Sequence, residues 1–173
     1  TGKTFGFIPP TFSKTYDEST FLKNTLMTNF MFQSLPDKTL DKLVSAFEKV
    51  TYLKKSTIIN QGETSIDYFY VLFEGECAVT IDNKKLPDPY GTLTEGTVFG
   101  ERAMLYNVPR AATVSAKMDC TLYRVDRRTF RYFLDSQQPR EREDIKAELR
   151  EIDSAIDKIA GVKTRYSGAI IRQ

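Results

Sequence analysis

The sequence predicts an α+β domain that is mainly β: a jelly roll or barrel of seven or eight short strands, with helices before and after it. Two changes of period carry that reading. Between about Val50 and Val125 the apolar residues alternate with a period of two, in short β-branched and aromatic runs broken by Gly, Asp, Asn and Pro. On both sides of that stretch the spacing changes to three and four, the spacing of helices packed by one face.

Taken in order, residues 1–17 hold Gly2, Gly6, Pro9 and Pro10 among scattered aromatics and read as a linker or docking arm. Gly2-Lys3-Thr4 looks like the tail of a phosphate-binding loop, but the required upstream strand and first glycine do not precede it here. The opening without a methionine suggests a piece of something longer. Residues 18–50 form a helical segment. Phe21, Leu22, Leu26, Phe30, Met31 and Leu35 give one amphipathic pattern, with Ser19 or Asp17 as N-cap. Leu40, Leu43, Val44 and Phe47 give a second after Pro36.

Residues 51–125 form the roll. Strands are expected near Thr51–Leu53, Thr57–Asn60, Tyr68–Phe73, Glu76–Asp82, Thr92–Thr94, Ala112–Lys117 and Thr121–Val125. Asp82-Asn83, followed by Lys84-Lys85, marks a hairpin turn, and Leu86-Pro87-Asp88-Pro89 extends it into an exposed loop. From Asp126, a good N-cap, helices run to about Ala160, divided at Pro139 and stopped by Gly161. Ile145, Leu149, Ile152, Ile156 and Ile159 form a narrow apolar stripe there, and residues 161–173 read as a tail or a linker to a following region.

Composition excludes much. The 25 basic and 23 acidic side chains leave a net charge of +2, too little for a field that grips nucleic acid. No histidine is present, which removes the commonest general base and metal ligand together. Nothing in the sequence positions a nucleophile, base or metal, so an enzyme is not expected. Cys77 and Cys120 have no CxxC partners, so a reducing compartment, the cytoplasm, is expected, with no disulfide framework. No apolar run approaches the length of a membrane span.

The informative stretch runs from Glu95 to Val114. Val98-Phe99-Gly100-Glu101 leads into a short run of helix formers, and Asn107-Val108-Pro109-Arg110-Ala111-Ala112 leads back into a strand. Gly100 permits close approach of backbone to a ligand, and the short helix offers main-chain N–H groups near its start. Arg110 adds a forked guanidinium. That set suits one phosphate monoanion better than a triphosphate, which would call for lysine and a metal. A carboxylate beside such a site repels phosphate, so Glu101 is read as an acceptor for a sugar hydroxyl.

The run from Phe99 to Tyr106, continued by Pro109-Arg110-Ala111-Ala112-Thr113-Val114, resembles the phosphate-binding cassette of cyclic nucleotide-binding domains. It is most similar to those of cAMP-dependent protein kinase regulatory subunits and cGMP-dependent kinases. Gln61-Gly62-Glu63, Phe69-Tyr70-Val71 with Glu74-Gly75-Glu76, and the Asn29–Leu35 run extend the likeness over roughly residues 20–150.

The resemblance implies an eight-stranded jelly-roll β-barrel with a short phosphate-binding helix and C-terminal lid helices. It implies that Glu101 accepts from the ribose 2′-hydroxyl, that Arg110 pairs with the exocyclic phosphate oxygens, and that the Ala103 and Ala111 amides donate to that phosphate. Gly100 backbone would lie near the ribose, with Val98, Phe99 and Ala112 in support. Family members that prefer cGMP often carry threonine or serine after the arginine, where this chain has Ala111. cAMP is therefore the expected ligand, with cGMP possible and no metal.

Occupancy would move the C-terminal helices, with Tyr132, Phe133 and Leu134 as hinge contacts, against a kinase-like effector domain or subunit. Tyr166 or a residue of the Leu149–Ile159 stripe would cap the base. The alternatives are a degenerate scaffold that binds no nucleotide and a dimeric regulator joined by the isoleucine stripe. Three departures from the family pattern stand out: the longer turn Glu63–Asp67, Lys55 at a frequent glycine position, and Arg102 after the glutamate, expected to be solvated.

Overall fold

The structure, a computed structural model, describes residues 6–65 and 67–135, together with Ala147, Arg150, Glu151 and Ser154 as helical positions. Two helices lead, α1 (Tyr16–Thr28) and α2 (Asp37–Ala46). The N-cap of α1 is neither Ser19 nor Asp17 but Thr15. Its hydroxyl accepts from the Glu18 amide at 3.2 Å while the Glu18 carboxylate accepts from the Thr15 amide at 3.0 Å, a reciprocal capping box. The helix also stops earlier than the apolar spacing suggests. Asn29 Oδ1 accepts from the Met31 amide at 2.9 Å, so the side chain turns the chain, and residues 29–35 run as turns that still bury Met31 and Phe32.

The β region holds β1 (Glu48–Tyr52), β2 (Thr57–Ile59), β3 (Tyr68–Glu74), β4 (Cys77–Ile81), β5 (Lys84–Lys85), β6 (Thr92–Leu93), β7 (Val98–Phe99), β8 (Thr113–Ala116) and β9 (Cys120–Asp126). A short helix, α3 (Glu101–Tyr106), interrupts it, and α4 (Arg127–Leu134) follows. Every strand pairing is antiparallel. One sheet has the order β1-β9-β3-β7. The other has the order β2-β8-β4-β5, with β6 also on β4. The expected mainly β roll is thus two antiparallel sheets packed face to face, with three strands of only two residues each.

Sequence explains this layering. β3 buries both faces, which is why Phe69-Tyr70-Val71-Leu72 reads as a continuous apolar run. Phe69 and Val71 join the helices in one core with Phe47, Tyr123 and Phe130, while Tyr70 and Leu72 face the second sheet with Cys77, Val79 and Leu122. Phe69 packs against Phe32, Phe47 and Phe130 at centroid distances of 4.9 to 5.9 Å. Removing a ring so placed costs about 3–5 kcal/mol. Cys77 and Cys120, 43 positions apart in sequence, face each other in the inter-sheet core as free thiols with sulfurs 4.0 Å apart.

At Asp82 and Asn83 φ is 51° and 63°, both left-handed, as a tight hairpin between β4 and β5 requires. The Gln61 amide group holds this turn through Asp82, at 3.0 and 2.8 Å. Asp126 caps α4 as expected, accepting from the Thr129 amide at 2.8 Å. Residues 6–15 lie on the body of the domain. The Phe12 amide donates to Ser45 O at 2.8 Å, and Phe7 sits against the guanidinium of Arg128 and, edge-on, the ring of Tyr132.

Candidate functional site

The site is built where β7 gives way to α3. Gly100 ends the strand at φ 86°, and a Cβ there would stand 2.9 Å from Arg110 Nη1 and 3.2 Å from Ile59 Cδ1. Glycine is required twice, by the left-handed backbone and by the guanidinium packed against it. That guanidinium donates from Nη1 to Gly100 O at 2.6 Å and from Nη2 to Tyr68 O at 2.5 Å. The Arg110 main chain is clamped as well: its amide donates to Glu63 O at 2.9 Å and its carbonyl accepts from the Gly62 amide at 2.7 Å. The longer turn after Gly62 therefore positions the arginine.

Arg110 is 4% exposed, and its Nε, fully buried, has no hydrogen-bond partner. An arginine carries five N–H donors, and the two bonds to main-chain carbonyls leave the rest of the fork unspent. Burial is the main influence lowering its pKa, opposed by Tyr70, Glu63, Glu101 and Asp67. A charge kept this deep on neutral carbonyls is costly, and an anion seated against it would recover that cost.

Gly100, Glu101, Ala103, Arg110 and Ala111, the five residues the sequence picks out, all line one cavity of about 850 Å³, as do the supporting residues Val98, Phe99 and Ala112. The inner wall is apolar, from Ile59, Val79, Ile81 and Val114. Arg102, expected in solvent, is half-buried and also lines the cavity. No side chain caps the start of α3, and its Ala103 and Met104 are buried. Among the described residues no cluster of His, Cys, Asp or Glu could hold a metal ion, and no helix is long and apolar enough to cross a membrane.

Three contributions were not visible in the sequence. The carbonyls of Tyr68 and Gly100 grip the arginine, and a main-chain group carries no residue signature. The loop of Leu86, Asp88, Pro89 and Tyr90 forms one wall. Glu76 and Lys117, an ion pair at 3.3 Å, form another. β7, which carries Val98 and Phe99, is absent from the strands the sequence predicts, because two residues give no period.

The cavity is tied to α4 through α3. Arg131 Nη2 donates to Met104 O at 3.4 Å, the Arg127 guanidinium bonds Asn107 Oδ1 at the end of α3, and the Arg127 amide donates to Asp67 O at 2.9 Å. Ala103 and Met104 share one core with Phe130 and Phe133. Tyr132 meets Phe133 edge-on at 5.2 Å. The isoleucine stripe, Pro139 and Tyr166 lie outside the described residues, as does Gly2-Lys3-Thr4.

Known proteins share the sequence and fold of this region. The regulatory subunit of a cAMP-dependent protein kinase from Colletotrichum orbiculare is 39% identical, matching 73% of this chain and 34% of its own length. The chain thus spans about a third of that relative. The solved structure described as "cAMP bound PfPKA-R (141-441)" superposes with a TM-score of 0.66 at 36% identity, covering 73% of this chain and 45% of that one. A triply substituted regulatory subunit of a cAMP-independent protein kinase A from Trypanosoma brucei, bound to cAMP in its A site, superposes with a TM-score of 0.67 at 28% identity. It covers 74% of this chain and 46% of its own. The family model for the cyclic nucleotide-binding domain matches residues 49–137, from the first strand through the buried arginine to just past α4, and it is to this family that the chain belongs.

Proposed function

We propose that the chain binds a cyclic nucleotide, cAMP in preference to cGMP, in the cavity beside Arg110, and serves as a regulatory module of a larger signalling protein of the kinase-regulatory-subunit kind. The observation that carries this reading is the buried Arg110 fork, held by two carbonyls with its Nε unpartnered. A cyclic phosphodiester is singly charged across the physiological range and offers oxygens that a planar fork matches. Arg110 pairs with the exocyclic oxygens, the Ala103 and Ala111 amides donate to the same group, and Glu101 accepts from the ribose 2′-hydroxyl near Gly100. No metal takes part, and the chain acts by binding, not by catalysis.

The substituted Trypanosoma brucei subunit supports these positions. Its three introduced residues are alanine, arginine and alanine, the second seven positions after the first and the third directly after it, the spacing of Ala103, Arg110 and Ala111 here. Ala111 also supports the preference for cAMP, since it offers no hydroxyl to the guanine amino group.

Ligand bound at α3 shifts the population of α4 positions through Met104, Phe130 and Phe133, with Tyr132, Phe133 and Leu134 as the hinge. Residues 126–160 then act as lid and output element toward a kinase-like partner in the cytoplasm. Calorimetry with cAMP, cGMP and 5′-AMP tests the reading. cAMP binds best, 5′-AMP poorly, Arg110→Ala loses at least tenfold, and Ala111→Thr narrows the gap to cGMP. Equal binding of 5′-AMP and cAMP contradicts a site shaped for the cyclic ester.

A further inference from the structure

Two aromatic side chains border the cavity, Phe99 and Tyr90. Phe99 is buried and its face is taken, stacked on Tyr70 at 5.4 Å and 17°. Tyr90 is different: it is 44% exposed, and no ring pairs with it among the described residues.

The loop that carries Tyr90 is firmly built. Leu86 is buried, its amide donates to Val79 O at 3.1 Å, and the Val79 amide donates to Gly91 O at 3.0 Å. Asp88 Oδ1 accepts from Thr92 Oγ1 at 2.8 Å, and a Cβ on Gly91 would stand 1.9 Å from Leu86 O. The ring is therefore presented from a fixed backbone.

β6 and β8 both pair with β4, on its opposite edges. The residues just before β6 thus lie two strands, about 10 Å, from the start of β8, where Arg110 sits three residues upstream. A phosphate held at one edge of that span leaves its purine near the other.

Resting on the binding reading above, we infer that Tyr90 is a specificity-determining residue whose ring supplies the aromatic face on which the purine stacks. Purine faces stack on tyrosine whatever their edge pattern, so this contact favours a nucleotide over a bare cyclic phosphate without sorting adenine from guanine.

The experiment titrates the 173-residue chain with cAMP and with a ribose 3′,5′-cyclic phosphate that lacks a base. Tyr90→Ala weakens cAMP about tenfold and leaves the base-free ester unchanged, while Tyr90→Phe binds both as the wild type does. The chain has no tryptophan, so Tyr90→Trp adds a single reporter whose emission cAMP quenches and the base-free ester does not. Unchanged cAMP affinity in Tyr90→Ala, or equal losses for both ligands, overturns the stacking role and leaves the binding reading intact. A wild-type chain that binds neither ligand overturns both.

Discussion

Replacing Arg110 by lysine separates charge from shape. An ammonium has three N–H donors, and the carbonyls of Gly100 and Tyr68, which the guanidinium now satisfies at 2.6 and 2.5 Å, claim two of them. One donor is left for the phosphate where the arginine offered a fork. The loss of one charge-assisted hydrogen bond amounts to about 1.5–3 kcal/mol, so Arg110→Lys should bind cAMP roughly 10- to 150-fold more weakly than the wild type. A second signature follows from burial. The arginine is 4% exposed, and a lysine so placed has its pKa driven down, so affinity in the variant falls as pH rises from about 6 to 9 while the wild type stays flat. Calorimetry across that range reads both effects, with thermal unfolding of the unliganded protein as the control for folding. Lysine binding within threefold of the wild type would refute the claim that the fork matters beyond its charge. A pH-independent lysine variant would refute the claim that burial at this position governs its charge.

Three further outcomes are expected. Glu101→Ala should weaken cAMP about tenfold or more and leave 2′-deoxy-cAMP unaffected, because that analogue lacks the hydroxyl Glu101 is to hold; parallel losses for both would remove the ribose role. The Glu18 carboxyl is held at about 2, chiefly by the hydrogen bond from Lys49, whose Nζ lies 2.7 Å away, and also by the Thr15 amide. Its folded pKa is depressed, so its contribution is present above about pH 4.3 and is lost as pH falls toward 2. The urea midpoint of the wild type should therefore approach that of Glu18→Gln over this window, and parallel curves would count against it. Lys55 has φ 73°, a conformation costly for a side chain, so Lys55→Gly should stabilise by about 0.5–1 kcal/mol, seen as a rise of a few degrees in Tm; a fall would show that the lysine side chain offsets its strain.

What the sequence revealed depended on whether the information was local. The eight residues singled out, five within Val98 to Ala103 and three from Arg110 to Ala112, stand close together in sequence, and the structure places all eight on one cavity. Asp126 was legible as a cap because capping needs only its own neighbours. Thr15 had the same kind of signal in Thr15-x-x-Glu18, but the more acidic Asp17 drew the start inward. The end of α1 is hidden because a turn buries Met31 and half-buries Leu35, keeping an apolar spacing without a helix. The burial of Arg110 was beyond reach, since it depends on carbonyls brought from Tyr68, 42 residues away. Tyr90, just after the Leu86–Pro89 loop, carries no sequence signal of its own, and its place on the cavity needs the pairing of β6 with β4.

The position of β9 bears on how the domain comes into being. This last strand lies between β1 and β3 and pairs with both, so the first and third strands of the chain are joined in one sheet only through residues 120–126. Emerging from a ribosome, everything up to Met118 would wait with two unpaired edges. Closure across some seventy residues should make folding slow, on the order of milliseconds to seconds, and dependent on synthesis passing Asp126. A truncation just short of Cys120 should yield an aggregating chain, whereas one after Leu134 keeps both sheets whole.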